Sequence, residues 1–152
     1  MSLFSFNKKK EFFTAEQQQQ ITDAIQKAEK NTSGEVRIFV ESKCKYVDPV
    51  DRAKEIFFSL KMEQTRDRNA VLLYMALDDH QLALFADEGI YQRLGAGFWN
   101  QEVKKIISAF TKDDYTGGIC NIVEDIGEAL QYHFPYEYAD KNELPDEFVF
   151  GK

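Results

Sequence analysis

Residues Arg66 to Gly89 read RDRNAVLLYMALDDHQLALFADEG, and the two apolar runs inside this stretch decide the architecture. Val71 to Leu77 and Leu82 to Ala86 are too apolar and too short for surface helices, so both are expected to be buried strands. Asp78-Asp79-His80-Gln81 joins them as a hairpin connection, acidic residues being ordinary turn formers. A hairpin returns its outer flanks to one place. Arg66-Asp67-Arg68-Asn69 before the first run and Asp87-Glu88-Gly89 after the second are therefore expected at the same end of a sheet.

Outward from the hairpin, the pattern predicts helices on either side. Asp48-Pro49 has the form of an N-cap followed by proline at the first helical position, and Val50, Ala53, Ile56, Phe57 and Leu60 make one apolar stripe ending near Met62. Before it, Glu35-Val36-Arg37-Ile38-Phe39-Val40-Glu41 alternates and is rich in β-branched and aromatic residues, as a strand requires. Thr14 with Gln17 forms a capping box ahead of Ile21, Ala24, Ile25 and Ala28, and Asn31-Thr32-Ser33-Gly34 stops that first helix. After Gly89, the short segment IYQRL is broken by Gly95-Ala96-Gly97. Trp99, Val103, Ile106, Ile107 and Phe110 mark a third helix, and Tyr115, Ile119, Ile122, Ile126 and Leu130 a fourth. Gly117, Gly118 and Gly127 would permit close helix approach.

The order α, β, α, β, β, α, α describes helices covering a small mixed sheet. The unit from Glu35 to Leu77 is expected to be a right-handed crossover with parallel strands. One domain is expected at residues 14–134, with an arm at 1–13 and an acidic, proline-punctuated tail at 135–152 that closes on Phe148-Val149-Phe150. The chain has 152 residues, enough for a single core, and its thirteen phenylalanines argue against disorder of the whole.

Charge narrows the function. With 26 acidic and 19 basic residues the net charge is −7, which repels phosphate backbones, and no dense Lys/Arg stripe is present. Nucleic-acid binding is disfavoured, and cations or basic protein partners suit the chain better. Cys44 and Cys120 have no motif spacing and read as reduced, buried thiols. No stretch approaches the roughly 20 apolar residues of a membrane span, and the first residues lack the features of a secretory signal, so a cytoplasmic location is expected. Phe4, Phe6, Phe12 and Phe13 around Lys8-Lys9-Lys10 offer a membrane-surface contact as the alternative to a flexible arm or a segment packed on its own domain, which leaves room for a membrane-associated partner.

The connectivity also places chemistry. If the first two strands are parallel and the third antiparallel, Glu35, Arg66 to Asn69 and Asp87-Glu88 share one end of the sheet, while Glu41, Asp78, Asp79 and His80 share the other. Carboxylates from separate loops provide the hard oxygen ligands that calcium needs, and magnesium would use fewer of them. Asp87, Glu88 and Glu35 are the leading candidates for a metal, with Asp67 a further one. Surface ion pairing with Arg66 and Arg68 is the competing explanation. No nucleophile elbow is seen, and Gly95-Ala96-Gly97 lacks the surrounding residues of a phosphate loop. Trp99 and His133 need no role beyond core packing and a helix end.

With these residues in view, GEVRIFV at Gly34 to Val40, RNAVLLYM at Arg68 to Met75, ADEGI at Ala86 to Ile90 and Phe98-Trp99 resemble the TPM domain over roughly Phe12 to Pro135. NELPDE at Asn142 to Glu147 is similar to the ending of a short, single-domain bacterial subgroup. The resemblance implies a three-layer α/β/α sandwich, divalent-cation binding near loops at one sheet edge, and the acid-phosphatase activity proposed for plant members. It also implies matched positions: Glu35 opening the first strand, Asp87 as the aspartate of a D-x-G motif, and Arg68-Asn69 as the polar pair before the second strand. Ala70 departs from the glycine usual there. The expectation is a domain that binds calcium or magnesium together with a protein partner. Metal-assisted phosphomonoester hydrolysis, in which Arg68 and Asn69 would help hold the phosphate, and a metal-free partner-binding module are the alternatives.

Overall fold

In a computed structural model, residues 12–135 and 148–150 are described. They form α1 (Ala15–Glu29), β1 (Glu35–Glu41), α2 (Pro49–Ser59), β2 (Ala70–Ala76), β3 (Gln81–Ala86), α3 (Glu88–Thr111), α4 (Tyr115–His133) and β4 (Phe148–Phe150). The sheet order is β3-β2-β1-β4. β1 runs parallel to β2 with Glu35 opposite Ala70, and β2 runs antiparallel to β3 with Val71 opposite Ala86.

Strand alternation divides the apolar residues between two faces. Val36, Ile38, Val40, Val71, Leu73 and Met75 meet α1, α3 and α4 on one side. Phe39, Leu72, Tyr74, Ala76 and Ala83 meet α2 on the other, where Phe57 and Phe85 pack edge to face with centroids 4.8 Å apart. Helices thus cover both faces, and β1 and β2 are buried along their whole length because neither face is left to solvent. The result is the expected α/β/α sandwich.

Local chemistry explains the element ends. Thr14 and Gln17 close the expected capping box on α1, and Asp48 caps α2 ahead of Pro49. Thr32 Oγ1 donates to the last carbonyls of α4, 3.0 Å from Leu130 O, so the loop entering β1 is tied to the C-terminal end of α4. Gly127 lets α4 lie on α1: a Cβ there would stand 2.6 Å from that of Ala28.

Three details differ from the sequence reading. Phe13 is 3% exposed in the larger core, so the packed body reaches into the segment expected as an arm; residues 1–11 lie outside the described residues. Phe148–Phe150, expected as the end of the tail, pair with Ile38, Phe39 and Val40 as a fourth strand, whereas residues 136–147, NELPDE among them, lie outside the description. Helix begins at Glu88 rather than after Gly97, since IYQRL is helical and the glycine break survives as a kink with Gly95 at φ 79°. Within the described residues, no helix is long and apolar enough to cross a membrane.

Candidate functional site at the ends of three strands

The register brings the expected residues to one end of the sheet. Glu35 lies opposite Ala70, and the Asp87 amide donates to Ala70 O at 2.9 Å, so Glu35 and Asp87 flank Ala70 on its two sides. Paired residues point to the same face of a sheet, and Ala70, the partner of Glu35, carries only a methyl group. Glu35 is fully buried, and Asp87 is 4% exposed.

Asp87 ends β3 in extended conformation and is the N-cap of α3, its carboxylate accepting from the Glu88 amide at 2.8 Å. The same carboxylate accepts two bonds from Arg68, at 2.7 and 2.9 Å, and Arg68 also reaches Glu88 at 3.1 Å. Arg68 therefore lies across two of the candidate ligands as a bound cation would, and the neighbouring carboxylate of Asp87 raises its pKa further. Its backbone adopts φ 52°, an uncommon value for a side chain of this size, and its carbonyl accepts from the Ile90 amide. Gly89 is required beside that bend: a Cβ there would sit 2.1 Å from Asp67 O and 2.6 Å from Arg68 O.

A second strand of polar contacts runs through Ser33, which the sequence reading took only as part of a helix stop. Ser33 Oγ donates to Asp67 Oδ2 at 2.7 Å and accepts from Asn69 Nδ2 at 3.1 Å. Arg66 reaches the same Asp67 oxygen from the solvent side at 3.2 Å. Asn69 is fully buried and its Oδ1 has no hydrogen-bond donor. An oxygen in that state is costly to bury, and it sits one residue from Arg68. The signal for Ser33 was present in its position two residues before Glu35, but its partner Asp67 is 34 residues away and no local pattern announces the pair.

The ion pairs weighed against a metal are thus formed, and among the described residues no group of three or more His, Cys, Asp or Glu side chains stands ready as a ligand set. The opposite end of the sheet is held by its own set of contacts. Glu41 accepts two bonds from Arg52 and one from Tyr74, Asp79 accepts from the Cys44 amide, and His80 is an exposed turn residue at φ 54°. Both cysteines are free, as expected, but only partly buried.

Known proteins carry the same outline. The TPM domain matches residues 6–129. The NMR structure of the BA42 protein from the psychrophilic bacterium Bizionia argentinensis superposes with a TM-score of 0.85 at 37% identity, covering 93% of this chain and 97% of that one. The N-terminal domain of cg2496 from Corynebacterium glutamicum shares the fold at 11% identity, with a TM-score of 0.63 over 93% of this chain and 100% of that one. No curated protein sequence matches. On the length of the family match and the identity to the BA42 protein, the chain belongs to the TPM domain family.

Proposed function

We propose that this TPM domain binds a divalent cation, calcium or magnesium, at the sheet end and works through a protein partner. The observation that carries the reading is the placement of Glu35 and Asp87 on either side of Ala70. Neighbouring strands lie about 4.8 Å apart, so the two carboxylates start from backbones roughly 10 Å apart. Aspartate and glutamate side chains with two Ca–O bonds of about 2.4 Å span that gap over a residue as small as alanine. Glu88 and Asp67 are within the same group of loops, and Asn69 Oδ1 is a buried oxygen in want of a positive partner.

Arg68 is then a competitor. A divalent ion concentrates more charge than a guanidinium and draws Asp87 and Glu88 from it, leaving Arg68 to swing toward solvent, where its side chain is already 39% exposed. Removing the competitor should strengthen binding. Calcium titration followed by amide NMR is expected to shift Glu35, Asn69 and Asp87 together. Arg68→Gln is expected to tighten calcium about tenfold, by the usual worth of a charge-assisted pair, and Asp87→Asn to abolish the response. Shifts confined to residues 136–147, or unaffected by Asp87→Asn, would sink the reading.

The enzymatic alternative, metal-assisted phosphomonoesterase activity, draws on the same residues. Its support is the half-exposed guanidinium of Arg68 beside the carboxylates, a group suited to neutralise a phosphate. Among the described residues no base stands in a recognisable arrangement, so binding is the reading favoured. The net charge of −7 suits a basic partner.

A further inference from the structure

Beyond the kink at Gly95, α3 packs along α4 and the two helices frame a groove of about 640 Å³. Phe98, Glu102 and Lys105 line it from α3 at i, i+4 and i+7, and Asp125, Glu128 and Tyr132 from α4 at i, i+3 and i+7. Glu102 is only 3% exposed. Lys105 Nζ bridges its Oε2 at 3.3 Å and Asp125 Oδ2 at 3.0 Å, but Glu102 Oε1 is buried with no donor. Three carboxylates, one lysine and His133 thus line the groove. Tyr132 stands 81% exposed at the rim.

We propose that this α3–α4 groove receives the cationic head of a lysine or arginine side chain from a basic partner peptide, with Glu102 and Asp125 as acceptors and Tyr132 as an aromatic wall. Lys105 shows that the carboxylate pair takes an organic cation in this geometry. Its side chain is half-exposed on a flexible stem, so it can yield its place and leave Glu102 Oε2 and Asp125 Oδ2 to the guest, with Oε1 buried behind them without a donor. A guanidinium presents two parallel donors to the two carboxyl groups, and an exposed tyrosine face adds a cation–π contact. The inference rests on the partner half of the proposed function and is independent of the metal half.

Proton release should accompany binding. Asp125 from α4 and Lys105 from its own helix are neighbours of Glu102, while Glu128 and His133 of α4 line the same groove, and burial beside Asp125 holds the Glu102 carboxyl protonated to unusually high pH. A guest cation favours the ionised form, so affinity rises between pH 6 and pH 8.

The test is an amide NMR titration of the full chain with acetyl-Gly-Arg-Gly-amide, against the same peptide carrying neutral citrulline. Saturable shifts at Phe98, Glu102, Lys105, Asp125 and Tyr132 are expected with arginine only. Glu102→Gln and Asp125→Asn should each weaken binding about tenfold, the loss of one charge-assisted bond. Glu124→Gln removes the same charge from α4 outside the groove and should change affinity less than about twofold. Equal response to citrulline, or equal weakening by Glu124→Gln, would reduce the groove to diffuse acidity and overturn the proposal. Shifts by calcium but not by the peptide would make it a metal site instead. Arginine-specific shifts elsewhere would keep a basic partner and remove this groove. No shift anywhere would remove both, and the calcium response at the sheet end is read separately.

Discussion

Glu102 occupies a position that pattern and chemistry assign differently. It lies three residues after Trp99 and four before Ile106, both on the buried stripe of α3, yet it is a carboxylic acid. Burial, with Asp125 close by, pushes its pKa from 4.5 up to about 7, and Lys105 only partly opposes this. The folded chain therefore holds this proton more tightly than the unfolded chain does. The stabilising contribution is fully present below pH 4.5 and is lost as pH rises through about 7. Glu102→Gln has no such proton to lose. Its melting temperature is expected to overtake that of the parent as pH goes from 5 to 8, in parallel scanning calorimetry of the two proteins; parallel curves across that range would refute the assignment. At this scale, the sequence showed which residues could carry chemistry but not their partners. Asp87 was named as a ligand from its place after a strand, while its bonds to Arg68 depend on a left-handed backbone at Arg68 that no local pattern encodes.

Elements were legible where a local rule governs them. The Thr14–Gln17 capping box, the Asp48-Pro49 start and the hairpin between β2 and β3 all follow from short-range hydrogen bonding and backbone preference. β4 was missed because three residues are too few for an alternation to appear, and its pairing is with β1, more than a hundred positions earlier. The onset of α3 was missed because IYQRL is one turn and a half before a glycine, although Asp87 followed by Glu88 is an N-cap with an acidic first turn. Helical glycines separate along the same line. Gly97 has open space around its missing Cβ, so Gly97→Ala should raise stability by about 0.5–1 kcal/mol through helix propensity. Gly127 faces Ala28, whose Cα would be 2.7 Å from a new Cβ, so Gly127→Ala should instead lower stability by about 1–3 kcal/mol as α1 and α4 are forced apart. Urea unfolding of the two variants gives the comparison, and a stabilised Gly127→Ala would mean that the helices are not held at this distance.

For the whole molecule, the crossover from β1 through α2 to β2 and the return by β3 were sufficient to say which loops meet, because parallel neighbours and a hairpin leave one arrangement of ends. The two-faced core followed from helices on both sides of the same strands. What connectivity could not supply was occupancy of the meeting place, since ion pairs and a metal shell draw on the same carboxylates and differ only in side-chain rotamers.

The break at Gly95 has a thermodynamic consequence for the two sites that share α3. An unbroken helix from Asp87 to Glu102 would carry a displacement at its N-terminus to the groove as a rigid rod. A residue at φ 79° interrupts that rod, and its missing Cβ has no heavy atom within 4 Å to stiffen the joint. The coupling free energy between cation and peptide should then be near zero, and by reciprocity neither ligand alters the other's affinity. Calorimetric titration of the arginine peptide with and without saturating calcium should give dissociation constants equal to within about twofold, well short of the 5–150-fold typical of allosteric coupling; a larger ratio would mean that the hinge transmits.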